Sequence, residues 1–189
     1  MIQPTALVAA QAGVLVVLLA CAIFTDLRSR RIPNVLVGTG ILLALASHAF
    51  GWLSGVQSLA GASPWSPLVG MIYGLVLMLP LYLLRAMGAG DVKLMAMVGA
   101  LVGSDAVLSA VPFTLICGGL VSVVYMFSCG VAVQTLNNVR FILTDWMIRA
   151  STGQAGRLAP LQTTAARLPY GVAIAMGTAC AVAWPLWGR

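Results

Sequence analysis

Hydrophobic residues occur in long, nearly continuous runs along this chain, separated by short stretches rich in glycine, proline or charged residues. An apolar run of about 20 residues is long enough for a helix to cross the roughly 30 Å hydrocarbon core of a bilayer. Glycine, proline and charged residues mark the ends of six such helices. The predicted spans are residues 5–25, 35–52, 67–85, 92–103, 106–132 and 169–187.

Composition agrees with this pattern. Of the 189 residues, 61% are hydrophobic and only 7% are charged, which a soluble domain of this size cannot accommodate. We therefore expect an all-α, polytopic membrane protein formed by a single domain over residues 1–189. Residues 133–168 are predicted to be a cytoplasmic connection with an amphipathic helix lying on the membrane surface. Glycines spaced four residues apart at 70/74 and 99/103 predict closely packed helix faces.

The basic residues orient the predicted spans. Of the ten lysines and arginines, three lie in the first connection, two flank the third and four lie in the fifth. Because basic residues concentrate in cytoplasmic loops, these odd-numbered connections are predicted to be cytoplasmic, with both termini outside. This rule also accounts for the net charge of +6 without a nucleic-acid partner.

Candidate chemistry rests on the acidic residues, which are four aspartates. Asp26 closes the first apolar run and Asp91 opens the fourth. A carboxylate at the edge of the hydrocarbon is costly, so it is interpreted first as functional. The predicted topology puts both on the cytoplasmic side, where they would form a pair suited to acid–base chemistry. The alternative is structural: Asp26 would pair with Arg28 or Arg30, and Asp91 would pair with Lys93 or cap its helix.

Other candidate groups are less suited to chemistry. Asp105 falls in a tight outer loop, and Asp145 lies four residues before Arg149 as a helical ion-pair partner. His48, the only histidine, is predicted to lie at the outer interface, so a Ser–His or Cys–His pair on the cytoplasmic side is excluded. The four cysteines lack zinc-ligand spacing. No metal or cofactor is therefore expected.

Two segments together carry a family resemblance. Residues 24–34 (FTDLRSRRIPN) and residues 88–94 (GAGDVKL) resemble the type IV prepilin peptidases, which are membrane aspartic proteases of the GxGD class. Residues 168–171 (LPYG) resemble that family's proline–aromatic–glycine element. The resemblance covers nearly the whole chain in order and topology.

The resemblance implies a site and a substrate. Asp26 and Asp91 would be the catalytic pair, Gly88 and Gly90 would shape the site, and Lys93 would lie beside it in contact with substrate. The glycines would also permit unusual backbone angles and close approach of a peptide. The partner would be a prepilin or pseudopilin with a basic leader and a hydrophobic helix. Cleavage would occur at the cytoplasmic face of the bacterial inner membrane, without metal or cofactor.

The chain resembles the short family members associated with Tad-type (Flp) pili. Longer, bifunctional members carry a cysteine-containing insertion near the N-terminus and also methylate the new N-terminus; this chain lacks that insertion. We therefore expect cleavage without N-methyl transfer. The alternative is a proton-coupled membrane transporter that uses paired aspartates, although a transporter would more naturally place them in mid-span.

Overall fold

The computed structural model describes residues 6–84, 87–130 and 170–187, with isolated positions between 132 and 147 and with the backbone alone at 184–187. Its regular structure is helical throughout the described ranges, apart from one isolated bridge between Ser58 and Gly61. The helices are α1 (Ala6–Ser29), α2 (Asn34–Leu53), α3 (Ser66–Leu83), α4 (Ala89–Ser128) and α5 (Tyr170–Trp187).

The apolar character of these helices supports the predicted protein class. Helices α1 to α4 are each long and apolar enough to cross a membrane, and α5 is apolar over Tyr170–Ala183. The prediction of an all-α membrane protein is therefore confirmed. The first two helices begin within one residue of their predicted starts, because alanine at 6 and asparagine at 34 stand where the apolar runs begin.

Helices α1 and α2 form an antiparallel hairpin. Gln11 Nε2 donates a hydrogen bond to Ser47 Oγ at 2.9 Å, and Leu18 packs beside Gly40 nearer the turn. The chain leaves α1 through Arg30, whose φ of 51° is left-handed, and its N–H donates to the carbonyl of Asp26 at 2.8 Å. A left-handed residue is a common way to end a helix, although glycine usually supplies it.

Helix α3 packs tightly against the first part of α4 through small residues. Gly70 lies against Gly99 and Gly103, and a Cβ at Gly74 would lie 2.9 Å from the carbonyl carbon of Met95. Only glycine permits two helix backbones to approach this closely. The predicted close-packing faces are therefore confirmed. The two helices run antiparallel here, because residues with higher numbers on α3 contact residues with lower numbers on α4.

Helix α4 is interrupted at Gly103, where φ is 83° and ψ is 179°. This glycine lies against Ala60 and against Ser66 at the start of α3, whereas Gly118 farther along lies against Tyr170 at the start of α5. The sequence predicts a two-residue connection after residue 103. Instead, Gly103 itself makes the break and the helix resumes at the next residue, because glycine adopts a left-handed φ without steric cost.

The contacts divide the chain into two compact units. The first comprises Met1–Gly119 with Pro169–Arg189, and the second comprises Leu120–Leu168. The first unit contains the buried apolar core, which includes Met78, Met97 and Ile174. Described residues of the second unit between 132 and 147 are helical, but most of the predicted surface helix and its connection lies outside the described residues. The single-domain organisation stays a prediction.

Candidate active site

Asp26 is buried in the last turn of α1. The first apolar run ends at residue 25, but the helix continues to Ser29, so Asp26 is held within regular structure rather than in the following turn. Its side chain is only 6% exposed. Its Oδ2 atom accepts a hydrogen bond from the backbone N–H of Gly171, in the first turn of α5, at 2.9 Å.

Asp91 is the third residue of α4 and is 9% exposed. Its Oδ2 atom accepts a hydrogen bond from the backbone N–H of Gly88, just before the helix, at 3.1 Å. An acidic side chain that reaches back in this way satisfies a free donor at the helix start, and the helix dipole favours its negative charge. The structural interpretation of Asp91 is therefore correct only in part: it stabilises the start of its own helix from the third helical position, not as the N-cap residue.

Capping does not account for the neighbours of Asp91. Its carboxylate interacts electrostatically with that of Asp26, and the phenol of Tyr170 interacts electrostatically with Asp91 as well. The end of α1 and the starts of α4 and α5 therefore converge on two buried carboxylates. Below, Asp26 and Asp91 are called the aspartate pair.

Lys93 contacts a different element. Its Nζ donates a hydrogen bond to Asn34 Oδ1, on the first residue of α2, at 3.1 Å, and the lysine side chain is exposed. This contact ties the first turn of α4 to the start of α2. Its hydrogen bond thus goes to α2 rather than to Asp91, the partner considered in the structural alternative.

The two glycines before Asp91 have separate roles. Neither has a positive φ, so the structure does not use the backbone freedom that glycine permits at these two positions. A Cβ at Gly88 would lie 3.3 Å from Asp91 Oδ2, whereas a Cβ at Gly90 would meet Ile32 at an ordinary 3.4 Å. Gly88 therefore leaves space for the Asp91 carboxylate itself, and Gly90 borders the connection between α1 and α2.

His48 is remote from the aspartate pair. It lies near the C-terminal end of α2, where it is buried and hydrogen bonds to Ser58 Oγ and, through Nε2, to the carbonyl of Ser63 at 3.0 Å. The loop before α3 covers the ring, whereas the expected position of His48 at the outer membrane interface stays a prediction. Within the described ranges, no group of three His, Cys, Asp or Glu side chains has the arrangement of a metal site.

Comparison with known families identifies the chain. Residues 13–149, more than two thirds of the sequence, match the model of the type IV leader peptidase family. The chain belongs to this family. Comparison with curated proteins and with solved structures gave no match.

Family membership assigns this leader peptidase a class of reaction and of substrate. It is a peptidase with prepilin leader peptidase activity, and its substrate is a prepilin. Its apolar helices are those of a membrane protein. The family assignment does not favour the transporter alternative, because it places the chain among peptidases.

Sequence reasoning assigned no role to two residues of this leader peptidase that border the aspartate pair. Gly171 donates a hydrogen bond to Asp26, and Tyr170 lies near Asp91 and packs against Gly118. The LPYG resemblance marked this segment, but a backbone N–H has no signature in a side-chain pattern. Both residues lie outside the range that the family model matches.

Proposed function

We propose that this protein is an aspartic endopeptidase that removes the leader peptide from Flp-like prepilins at the cytoplasmic face of the inner membrane. The observation that carries the proposal is the burial of Asp26 and Asp91, from distant parts of the sequence, where their carboxyl groups interact electrostatically. Burying two acids together is costly in a purely structural role, because like charges repel and desolvation penalises each charge. Aspartic proteases use such a pair with one shared proton.

The proposed mechanism is general acid–base catalysis by the aspartate pair. The ionised carboxylate takes a proton from a water molecule as the water oxygen bonds to the scissile carbonyl carbon. The protonated carboxyl polarises the carbonyl oxygen. The tetrahedral intermediate then collapses, the C–N bond breaks and the departing amine takes up the proton that the aspartate pair had removed from the water. Neither role is assigned to one aspartate, because a closely coupled pair titrates as a unit.

Substrate recognition at this site is proposed to depend on shape rather than on charge. Arg28, Arg30 and Arg31 lie at the end of α1, close in sequence to Asp26. These cations repel the basic leader of a prepilin, and the positive-inside rule accounts for them as topology determinants. A helical substrate must unwind locally to expose its scissile bond, and a glycine before the cut eases this step.

The proposed topology has six membrane-spanning segments with both termini outside. Helix α4 has 40 residues, and as one straight rod it would extend about 60 Å, twice the hydrocarbon thickness. The break at Gly103, beside the start of α3, and the return of Gly118 to Tyr170 support two passages instead of one. The distribution of basic residues supports a cytoplasmic location for the aspartate pair.

A substitution series tests the aspartate pair. Asp26→Asn and Asp91→Asn each remove one ionisable group at nearly constant volume, and each should abolish cleavage of a co-expressed Flp-like prepilin, scored by its mobility shift. Asp105→Asn is the matched control: Asp105 is exposed just after the break at Gly103, and this variant should cleave normally. Immunoblots of membrane fractions verify insertion. Cleavage by either pair variant at a near-normal rate would refute the proposal.

We propose further that the enzyme cleaves without N-methyl transfer. The connection between α1 and α2 comprises only residues 30–33, so the cysteine-containing insertion of the bifunctional members has no counterpart there. Mass spectrometry of mature pilin from the co-expression strain should show a free, unmethylated α-amino group. A methylated N-terminus that depends on this protein would contradict the proposal.

A further inference from the structure

The start of α5 contacts the aspartate pair although it lies outside the family-matched range of residues 13–149. The contact between Gly171 N–H and Asp26 Oδ2 is buried, is 2.9 Å long and joins residues 145 positions apart. A hydrogen bond of this kind to a carboxylate is shorter and stronger than one between neutral groups. It therefore constrains the position of Asp26 more than an ordinary packing contact would.

The surroundings of Gly171 are dominated by one side chain. A Cβ built at residue 171 would have three nearest neighbours, all atoms of Asp26: Oδ2 at 3.0 Å, Cβ at 3.3 Å and Cγ at 3.5 Å. The first two distances are tighter than ordinary contact, which begins at 3.4 Å. Any larger residue at 171 would thus push on Asp26 before it pushed on anything else.

We propose that Gly171 is a positioning residue for the aspartate pair, so that α5 is a functional part of the active site and not only a membrane anchor. This inference rests on the proposed function of Asp26. Gly171 acts in two ways: its N–H fixes the orientation of the Asp26 carboxylate, and its missing side chain lets that carboxylate approach α5. Tyr170, the preceding residue, interacts electrostatically with Asp91 from the same turn.

The expected effect of Gly171→Ala is a loss of turnover with little loss of substrate binding. Displacing a catalytic group by a few tenths of an ångström to 1 Å lowers rates by roughly tenfold to a hundredfold. We therefore expect kcat to fall by that factor while KM changes less than about twofold. Gly13→Ala, also on a membrane helix but with nothing within 4 Å of the added Cβ, is the matched control and should keep both constants.

A second measurement reports on the hydrogen bond without requiring that a residue-171 variant fold. In full-length protein labelled with [15N]glycine in detergent micelles, the Gly171 amide resonance should move upfield in Asp26→Ala, because its acceptor has been removed. The Gly13 amide resonance, on the same helix as Asp26 but near its other end, should stay in place. An unchanged Gly171 resonance would overturn the proposal.

The outcomes separate this inference from the proposed function. If Asp26→Asn is inactive but Gly171→Ala turns over at the rate of the unmodified enzyme, the positioning role is wrong and the aspartate pair stands. If Asp26→Asn itself remains active, both proposals fail. If Gly171→Ala does not insert, the amide resonance in Asp26→Ala decides. A fall in kcat at constant KM together with a shifted resonance supports the inference.

Discussion

The glycine contact between α3 and α4 provides a quantitative test of the fold. In Gly99→Ala, the new Cβ would overlap the carbonyl oxygen of Gly70 and lie 2.6 Å from its carbonyl carbon. Ordinary contact begins at 3.4 Å, so relieving the contact with the carbonyl carbon alone requires the two backbones to separate by at least about 0.8 Å at this point. Because the obstructing atoms are backbone and cannot rotate away, relief requires movement of a whole helix.

The cost of this overpacking is about 1–3 kcal/mol, which corresponds to a fall in Tm of roughly 2–12 °C for a chain of this size. Thermal unfolding of the purified protein in detergent, followed by tryptophan fluorescence, measures it. Gly38→Ala is the matched control, since nothing lies within 4 Å of its added Cβ. Alanine is the better helix former by about 1 kcal/mol, so Gly38→Ala should unfold at the same or a higher temperature. Equal Tm values for the two variants would refute the packing described here.

Three further outcomes are expected. Gly88→Ala should lower kcat roughly tenfold, because its Cβ would lie 3.3 Å from Asp91 Oδ2. Gly90→Ala should change kcat less than about threefold, since its Cβ meets Ile32 at an ordinary 3.4 Å. Similar rates for the two variants would contradict this expectation. Lys93→Ala removes one exposed hydrogen bond worth about 1 kcal/mol and should reduce cleavage no more than roughly fivefold, so complete loss in the same mobility-shift assay would assign this lysine a larger role. Alkaline phosphatase should be active when it is fused in the α2–α3 loop and inactive when it is fused between α4 and α5. The opposite pattern would exclude the proposed topology.

The helix positions were largely predictable from the sequence because hydrophobic runs and their breakers are local features. The starts of α1 and α2 follow directly from such runs. The end of α1 was not predictable in this way: charged residues after Thr25 suggest that the apolar span stops, yet the helix continues for another turn to Ser29. Hydropathy marks where a chain leaves hydrocarbon, whereas a helix ends where its backbone changes conformation, here at Arg30.

The electrostatic interaction between Asp26 and Asp91 was predictable because the chain has few acids and the predicted topology leaves few alternatives. Their hydrogen-bond donors were not, since both are backbone N–H groups whose positions depend on the fold. The burial of His48 was missed for a related reason. Its partners belong to a loop whose course over the end of α2 has no hydrophobic pattern, and one of those partners is the carbonyl of Ser63.

The use of backbone donors has a consequence for the proposed chemistry. Asp26 and Asp91 each accept a hydrogen bond from a glycine N–H at or just before the start of a helix, where free donors and the helix dipole stabilise negative charge. A lysine or arginine partner would instead bring a full positive charge and favour two ionised carboxylates, which cannot share a proton. Donors without net charge hold both acids and, under the proposed mechanism, leave them able to share one proton. Under the proposed mechanism, the backbone donors of Gly88, just before α4, and Gly171, in the first turn of α5, therefore hold the two acids without adding charge of their own.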